Sequence, residues 1–122
     1  MNLKISQVEV IKMCRCGDIY IANRNITGDL HRLKQTVLVV SDDKTNKQLP
    51  YVTIVPIIDA TRQDELLSYV FLDDYGMSEE NIAVVEQITT LDKTQLLVKV
   101  GGIQGTVYAR QVKQAIKKYL GL

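Results

Sequence analysis

Short apolar segments separated by polar turns make up most of the chain. Segments of this length, rich in Val, Ile and Tyr, are typical of β-strands. Six strands are predicted, over residues 18–22, 36–41, 51–58, 67–72, 82–87 and 96–100. Pro56 lies inside the third strand and has no amide proton, so we expect that strand to bulge or to reach a sheet edge there.

The hydrophobic period changes at the end of the chain. Apolar residues recur at helical spacing between Tyr108 and Tyr119, which predicts an amphipathic helix. We expect Thr106 to cap its N-terminus and Gly121 to end it. Several short strands followed by one terminal helix favour a small, mainly β fold of barrel type.

Length and composition indicate one globular domain. The chain has 122 residues, of which 46% are hydrophobic and 24% charged, as in ordinary folded proteins. No apolar run approaches the roughly 20 residues that cross a bilayer, and the N-terminus lacks the apolar core of a signal peptide. A cytoplasmic protein without membrane association is therefore expected. The formal net charge of +1 means that any phosphate recognition must come from a local patch.

The two cysteines, Cys14 and Cys16, are separated by one residue. Zinc normally takes four ligands, and His31 is the single histidine of the chain. Cytosolic cysteines are usually reduced. We therefore interpret both as structural or incidental thiols and predict no metal site and no cofactor.

A cluster of cations follows the first predicted strand. Residues 24–35 include Arg24, His31, Arg32 and Lys34. Cationic side chains hold phosphate, and an imidazole exchanges protons near neutral pH, so the cluster suits a phosphodiester. The same composition also fits a solvated surface loop, and residue types alone do not separate these hypotheses.

Polar residues at two strand ends are further candidates. Glu86 and Gln87 end the apolar fifth strand, where a carboxylate is costly unless it is paired or useful. Asp59 closes the third strand and also fits a turn former. Two other polar groups are predicted to be turns: residues 42–44 and residues 89–92.

The order of the motifs along the chain is more specific than any one of them. An Arg-x-Gly-Asp-like turn at residues 15–18 precedes the first strand, and strands at 37–40 and 51–58 follow. Tyr75-Gly76 and the run from Glu86 to Lys93, which is the most specific piece, complete the order. This pattern resembles the MazF/PemK (Kid) toxin family over about residues 15–122.

The resemblance implies both a fold and an activity. The expected fold is an SH3-like barrel of antiparallel strands (MazF/PemK/CcdB-like) over residues 15–122, with a C-terminal helix and an N-terminal extension at 1–14. The expected function is that of a type II toxin that cleaves single-stranded RNA without a metal. The implied partners are single-stranded RNA, a cognate antitoxin peptide, a second copy in a homodimer, and DNA through an antitoxin complex.

Three residues depart from the family pattern where its chemistry lies. Gln35 stands where the family has a catalytic Arg, and Asp59 where it often has Thr or Ser. Thr89 stands where the family has an Arg that contacts RNA. Because a neutral Gln cannot replace the charge of a guanidinium, two main hypotheses follow: an active site with rearranged groups, or a site that binds without cutting.

The active-site hypothesis draws its catalytic groups from five residues: His31, Arg32, Gln35, Asp59 and Glu86. RNA contacts are expected from four more: Arg24, Lys34, Gln87 and Thr89. His31 is assigned as the acid, Glu86 or Asp59 as the base, and the cation is drawn from three candidates: Arg24, Arg32 and Lys34. The alternatives are a degenerate module that binds nucleic acid or an antitoxin peptide, and a CcdB-type gyrase poison.

Overall fold

The computed structural model describes residues 13–25, 32–59, 69–72 and 81–122. The strands are β1 (Asp18–Asn25), β2 (Arg32–Val39), β3 (Tyr51–Asp59), β4 (Tyr69–Leu72), β5 (Asn81–Val84), β6 (Thr89–Asp92) and β7 (Leu96–Gly102). The helices are α1 (Asp43–Gln48) and α2 (Val107–Leu120). Two short 3-10 turns, Val85–Gln87 and Lys93–Gln95, flank β6.

The strands form one antiparallel sheet in the order β4-β5-β3-β2-β1-β7, with β6 also paired to β3. The prediction of a mainly antiparallel β fold with a C-terminal amphipathic helix is confirmed. Within the described residues, β4 and β7 lie at the two ends of this order. The sheet is therefore not closed into a complete barrel there.

Pro56 lies in the central strand β3, where it is opposite Val37 of β2. On the other side of β3, β6 pairs with Tyr51–Ile54 and β5 pairs with Ile57–Asp59. Pro56 thus occupies the gap between two short partner strands, where a missing amide proton costs no pairing with either. β3 as a whole is a central strand with partners on both sides, but at Pro56 it is paired on one side only, so the prediction of an edge holds locally at this residue.

Apolar side chains alternate between the two faces of the sheet and form two buried clusters. The first cluster lies under α2 and consists of nine buried residues: Ile19, Leu38, Val55, Ile57, Val70, Ala83, Val85, Ile103 and Val112. The second cluster lies on the other face: Cys14, Tyr20, Ala22, Val37, Val39, Val52, Ile54, Leu91 and Leu96. Because successive residues of a strand point to opposite faces, these clusters define the face on which each strand residue lies.

Helix α2 begins and ends where its pattern predicts. Thr106 is the N-cap residue, although its hydroxyl donates to the carbonyl of Ile103 at 2.6 Å and makes no capping hydrogen bond. Gly121 ends the helix with φ of 73°, a left-handed conformation that glycine adopts without steric cost. Val112 is buried in the first cluster, so the apolar stripe packs on the sheet.

Two elements were missed because their residues look like turn formers. Residues 42–44 begin α1, where the Asp42 carboxylate caps the helix by accepting from the Lys44 backbone N–H at 3.0 Å. Residues 89–92 form β6, in which only Leu91 is buried. The fourth strand is described from Tyr69, and residues 67–68 of the prediction lie outside the described residues.

No helix in the described part of the chain is long and apolar enough to span a membrane.

Candidate functional site

The turn that precedes β1 is built around the buried carboxylate of Asp18, which is 1% exposed. The Arg15 backbone N–H donates to its Oδ2 at 2.9 Å, and the Tyr20 hydroxyl lies 3.4 Å from the same oxygen. The Lys99 ammonium lies 3.1 Å from Oδ1. A buried carboxylate needs such partners, so the Arg-x-Gly-Asp-like motif has a structural role here.

Gln104 connects this turn to the start of α2. Its Nε2 donates to Asp18 Oδ1 at 2.8 Å and to the Cys16 carbonyl at 3.0 Å. Gly17 and Gly102 leave room for the Gln104 side chain, because a Cβ at Gly102 would come within 2.4 Å of its Oε1. No periodic pattern marks Gln104, and its role appears only from the contacts.

The two cysteines differ in environment. Cys14 is buried beside Tyr20, and burial together with the charge of Asp18 raises the pKa of its thiol to about 11. Burial also raises the pKa of Tyr20. Cys16 is exposed, and partial desolvation together with Asp43 raises its pKa above the ordinary value. Neither thiol has the lowered pKa of a nucleophile.

Arg24 and Gln35 meet across β1 and β2. The register places Gln35 opposite Ala22, and the Nη1 group of Arg24 donates to Gln35 Oε1 at 2.7 Å. Ala22 and Val37 belong to the second cluster, and Arg24 and Gln35 each lie two residues beyond one of them. The pair therefore lies on the second-cluster face, at its polar margin. Both side chains are half-exposed.

Lys34 and Thr89 do not join this pair. Lys34 is the neighbour of Gln35 in β2 and points to the opposite face. Thr89 lies opposite Ile54 of β3, on the second-cluster face. Val39 is the β2 residue opposite Ile54, so Thr89 is displaced from Gln35 by roughly 13 Å along the strands.

Glu86 and Gln87 belong to the 3-10 turn after β5, and not to the strand as predicted. The strand ends at Val84, so the carboxylate does not lie within a dry strand. Glu86 is half-buried and Gln87 is exposed. Glu86 has no hydrogen-bond or ion-pair partner within the described ranges.

The remaining predicted site residues are described in part or not at all. His31 lies outside the described residues. Arg32 begins β2 and Asp59 ends β3, where it is opposite Asn81, and at both positions the description is limited to the backbone. Across the described segments, no group of His, Cys, Asp and Glu is arranged to hold a metal ion.

Lys93, the last residue of the Glu86–Lys93 run, is 6% exposed. Its ammonium donates to the carbonyl of Asn46 near the end of α1. Asn46 in turn donates to the Ser41 carbonyl at 2.9 Å, and the Ser41 hydroxyl accepts from the Thr53 backbone N–H. The lysine therefore joins the β6 connection to α1 and β3.

Comparison with known proteins connects this geometry to a family. The family model of the PemK-like, MazF-like toxins of type II toxin–antitoxin systems matches residues 15–120. The match includes the Asp18 turn, the Arg24–Gln35 pair, the Glu86 turn and helix α2. It does not favour the hypothesis of a CcdB-type gyrase poison or that of a degenerate binding module.

Individual relatives agree with the family match. The chain is 29% identical over 90 residues to the endoribonuclease MazF of Staphylococcus epidermidis, covering 71% of this chain and 75% of that protein. It is 27% identical over 113 residues to the endoribonuclease MazF of Staphylococcus saprophyticus, covering 90% and 93%.

A solved structure supports the fold independently. The structure of an endoribonuclease in complex with its cognate antitoxin from a mycobacterial species is similar with a TM-score of 0.73 at 19% identity, covering 89% of this chain and 96% of that chain. At this identity the similarity shows the fold alone. With the family match over most of its length, the chain belongs to the PemK-like, MazF-like toxins of type II toxin–antitoxin systems.

Proposed function

We propose that this toxin is an endoribonuclease that cleaves single-stranded RNA without a metal ion in the cytoplasm, and that a cognate antitoxin peptide restrains it. The match of residues 15–120 to the toxin family carries the proposal. Two relatives similar over most of the chain are endoribonucleases, and a protein of the same fold is described in complex with its antitoxin.

The proposed reaction needs three groups. The ribose 2′-oxygen forms a bond to the adjacent phosphorus while the bond from phosphorus to the 5′-oxygen breaks, which leaves a 2′,3′-cyclic phosphate and a 5′-hydroxyl. A base takes the proton of the 2′-hydroxyl, an acid protonates the leaving oxygen, and a cation stabilises the added phosphate charge. Glu86 or Asp59 is the proposed base and His31 the proposed acid.

Glu86 suits the role of base on two observations. It is half-buried in a turn beside β3 and α2, and no cation within the described residues pairs with it. A carboxylate without a salt bridge remains free to accept a proton. Gln87 follows it in an exposed position and is proposed to contact RNA, as are Lys34 and Thr89.

Cleavage of a defined RNA in the presence of EDTA tests the proposal. At low salt, which preserves phosphate contacts, we expect discrete breaks in single-stranded RNA with 5′-hydroxyl ends. Duplex RNA and an oligonucleotide without 2′-hydroxyls should stay intact. His31→Ala and Glu86→Gln should each slow cleavage by about a hundred-fold or more, whereas Lys44→Ala, an exposed change on α1, should not.

Intact RNA at high protein concentration would contradict the proposal. If Gln35→Arg combined with Asp59→Thr then produced cleavage, the natural site would be a degenerate one that binds without cutting. Cleaved complexes of gyrase and DNA with untouched RNA would instead identify a gyrase poison. DNA binding through an antitoxin complex stays a prediction.

We also propose that the toxin is a homodimer. Among the described residues, strand β7 lies at one end of the strand order, and its consecutive residues Leu97 and Val98 are 40% and 50% exposed. An exposed apolar edge strand is a ready surface for pairing with another chain. Light scattering of the natural protein should give twice the mass of one chain, and Val98→Lys should lower that mass. A natural protein with the mass of a single chain would refute the dimer.

A further inference from the structure

The Arg24–Gln35 contact has the geometry of a positioned cation. The two residues lie on neighbouring strands, and the hydrogen bond of 2.7 Å joins Arg24 Nη1 to the amide oxygen of Gln35. Because Gln35 extends from a paired position opposite Ala22, the acceptor is anchored by the sheet. A guanidinium held by one edge presents its other N–H groups in a fixed direction.

The contact orients the guanidinium without neutralising it. Gln35 is a neutral amide, and none of the described carboxylates pairs with Arg24. Lys99 provides the contrast, because its ammonium lies 3.1 Å from the carboxylate of Asp18. Among the described residues the positive charge of Arg24 is therefore not compensated by a carboxylate, and the half-exposed side chain is accessible to an anion.

The sheet also separates Arg24 from Lys34, the other candidate cation whose side chain is described. Lys34 lies on the opposite face of β2, and Gln35 lies on the same face as Arg24. A guanidinium offers paired N–H donors that match two oxygens of a phosphate, which a single ammonium does not. Arg24 is thus better arranged than Lys34 to hold a phosphodiester at this end of the sheet.

We propose that Arg24 is the phosphate-binding cation of the RNA site and that Gln35 is the residue that positions it. This inference rests on the proposed function. In the family pattern the catalytic Arg stands at the position of Gln35 on β2. Here the positive charge lies on β1 instead, and Gln35 supplies the amide oxygen that holds the guanidinium. The ligand group is the backbone phosphodiester of single-stranded RNA.

Binding of a fully 2′-O-methylated single-stranded oligonucleotide tests the role of Arg24 apart from any cleavage, since its 2′-oxygen cannot attack. Arg24→Ala should weaken binding by roughly ten-fold or more. It should also reduce the dependence of log K on log salt by about 0.7, the value expected for one phosphate contact. Lys44→Ala, which removes the same charge from exposed α1, should change neither quantity.

Gln35→Glu tests the positioning role. The carboxylate keeps an acceptor beside Arg24 but neutralises the guanidinium, so we expect unchanged stability to urea together with a lower affinity and a lower salt slope. Gln35→Ala should weaken binding in the natural chain and have little further effect in the Arg24→Ala chain. Equal effects in both backgrounds would overturn the positioning role.

The outcomes separate this inference from the proposed function. If the natural chain cleaves RNA and the Arg24→Ala variant binds and cleaves RNA equally well, the inference fails and the proposed function stands. If the natural chain leaves RNA intact but Arg24→Ala loses oligonucleotide binding, the proposed function fails and the phosphate site stands. If the natural chain neither cleaves RNA nor binds the oligonucleotide, both fail, and if it cleaves RNA without binding the oligonucleotide, only the inference fails.

Discussion

Gln104 donates from its Nε2 to Oδ1 of Asp18 at 2.8 Å and thereby joins the turn before β1 to the turn before α2. The same nitrogen donates to the Cys16 carbonyl. Nearby, the Ile103 backbone N–H donates to the Gly17 carbonyl at 2.9 Å. These contacts connect segments that are far apart in sequence, and they place α2 over the first cluster.

Loss of the Asp18 carboxylate should destabilise the fold substantially. Asp18→Ala removes the acceptor of the Arg15 N–H and one of the two acceptors of Gln104 Nε2, so we expect the free energy of unfolding to fall by about 2–4 kcal/mol. Urea denaturation measures this. Asp18→Asn retains one acceptor oxygen and should cost less, and equal costs for the two variants would contradict the proposed network.

Two glycine substitutions should differ in how they depend on Gln104. A Cβ at Gly102 meets the far end of the Gln104 side chain, so Gly102→Ala should displace that side chain and cost about 1–2 kcal/mol through its lost hydrogen bonds. In a Gln104→Ala chain the same substitution should cost little. Gly17 has φ of 94°, so Gly17→Ala should stay costly in both backgrounds because of backbone strain.

Urea denaturation of the single and double variants gives the coupling energies. Gly102 and Gln104 should show strong coupling, and the strain at Gly17 should persist after Gln104 is removed. A Gly102→Ala cost that does not depend on Gln104 would show that the contact is not its cause.

Stability should decline at alkaline pH because of Cys14. Burial raises the pKa of its thiol from 9.0 to about 11, so between these values the folded chain binds more protons than the unfolded chain. The free energy of unfolding should therefore be unaffected below about pH 9 and fall as pH rises to about 11, by about 2–3 kcal/mol. The raised pKa of Tyr20 acts in the same direction.

Urea denaturation at several pH values checks this prediction. Cys14→Ala is the matched control, because it removes the thiol and should flatten the decline between about pH 9 and 11. An identical decline in both chains would assign the pH dependence to other groups.

Lys93 should contribute to stability through α1. Lys93→Met preserves much of the side-chain length but removes the donor to the Asn46 carbonyl, which should lower the free energy of unfolding by about 1–3 kcal/mol. Lys44→Met makes the same change at an exposed position of α1 and should stay within about 0.5 kcal/mol of the natural chain. Thermal or urea unfolding compares them, and equal losses would exclude a specific role for Lys93.

The fold was largely predictable because its elements carry local signals. The apolar strands and the terminal helix have distinct hydrophobic periods, and the helix begins after Thr106 and ends at Gly121 as expected. α1 and β6 were missed since their residues are mostly polar and exposed. Their stability comes from contacts such as that of Lys93 with Asn46, which sequence patterns do not show.

The sequence predicts the residues of the proposed site as a set of residue types but not as an arrangement. Arg24, Lys34 and Gln35 were each recognised as candidates, and nothing local distinguishes the two cations. The strand register separates them, because it places Arg24 and Lys34 on opposite faces of the sheet, and a shift of one residue would exchange those faces.

Local sequence patterns were sufficient for the apolar strands, helix α2, the toxin-family membership and the three departures at Gln35, Asp59 and Thr89, since these depend on local order and residue identity. Three relationships appear only in the folded chain: Glu86 lies in a turn, the buried Asp18 carboxylate joins several partners, and Gln35 accepts a hydrogen bond from Arg24. Those relationships depend on pairing between distant segments, and pairing is set by how the whole sheet buries its two apolar faces.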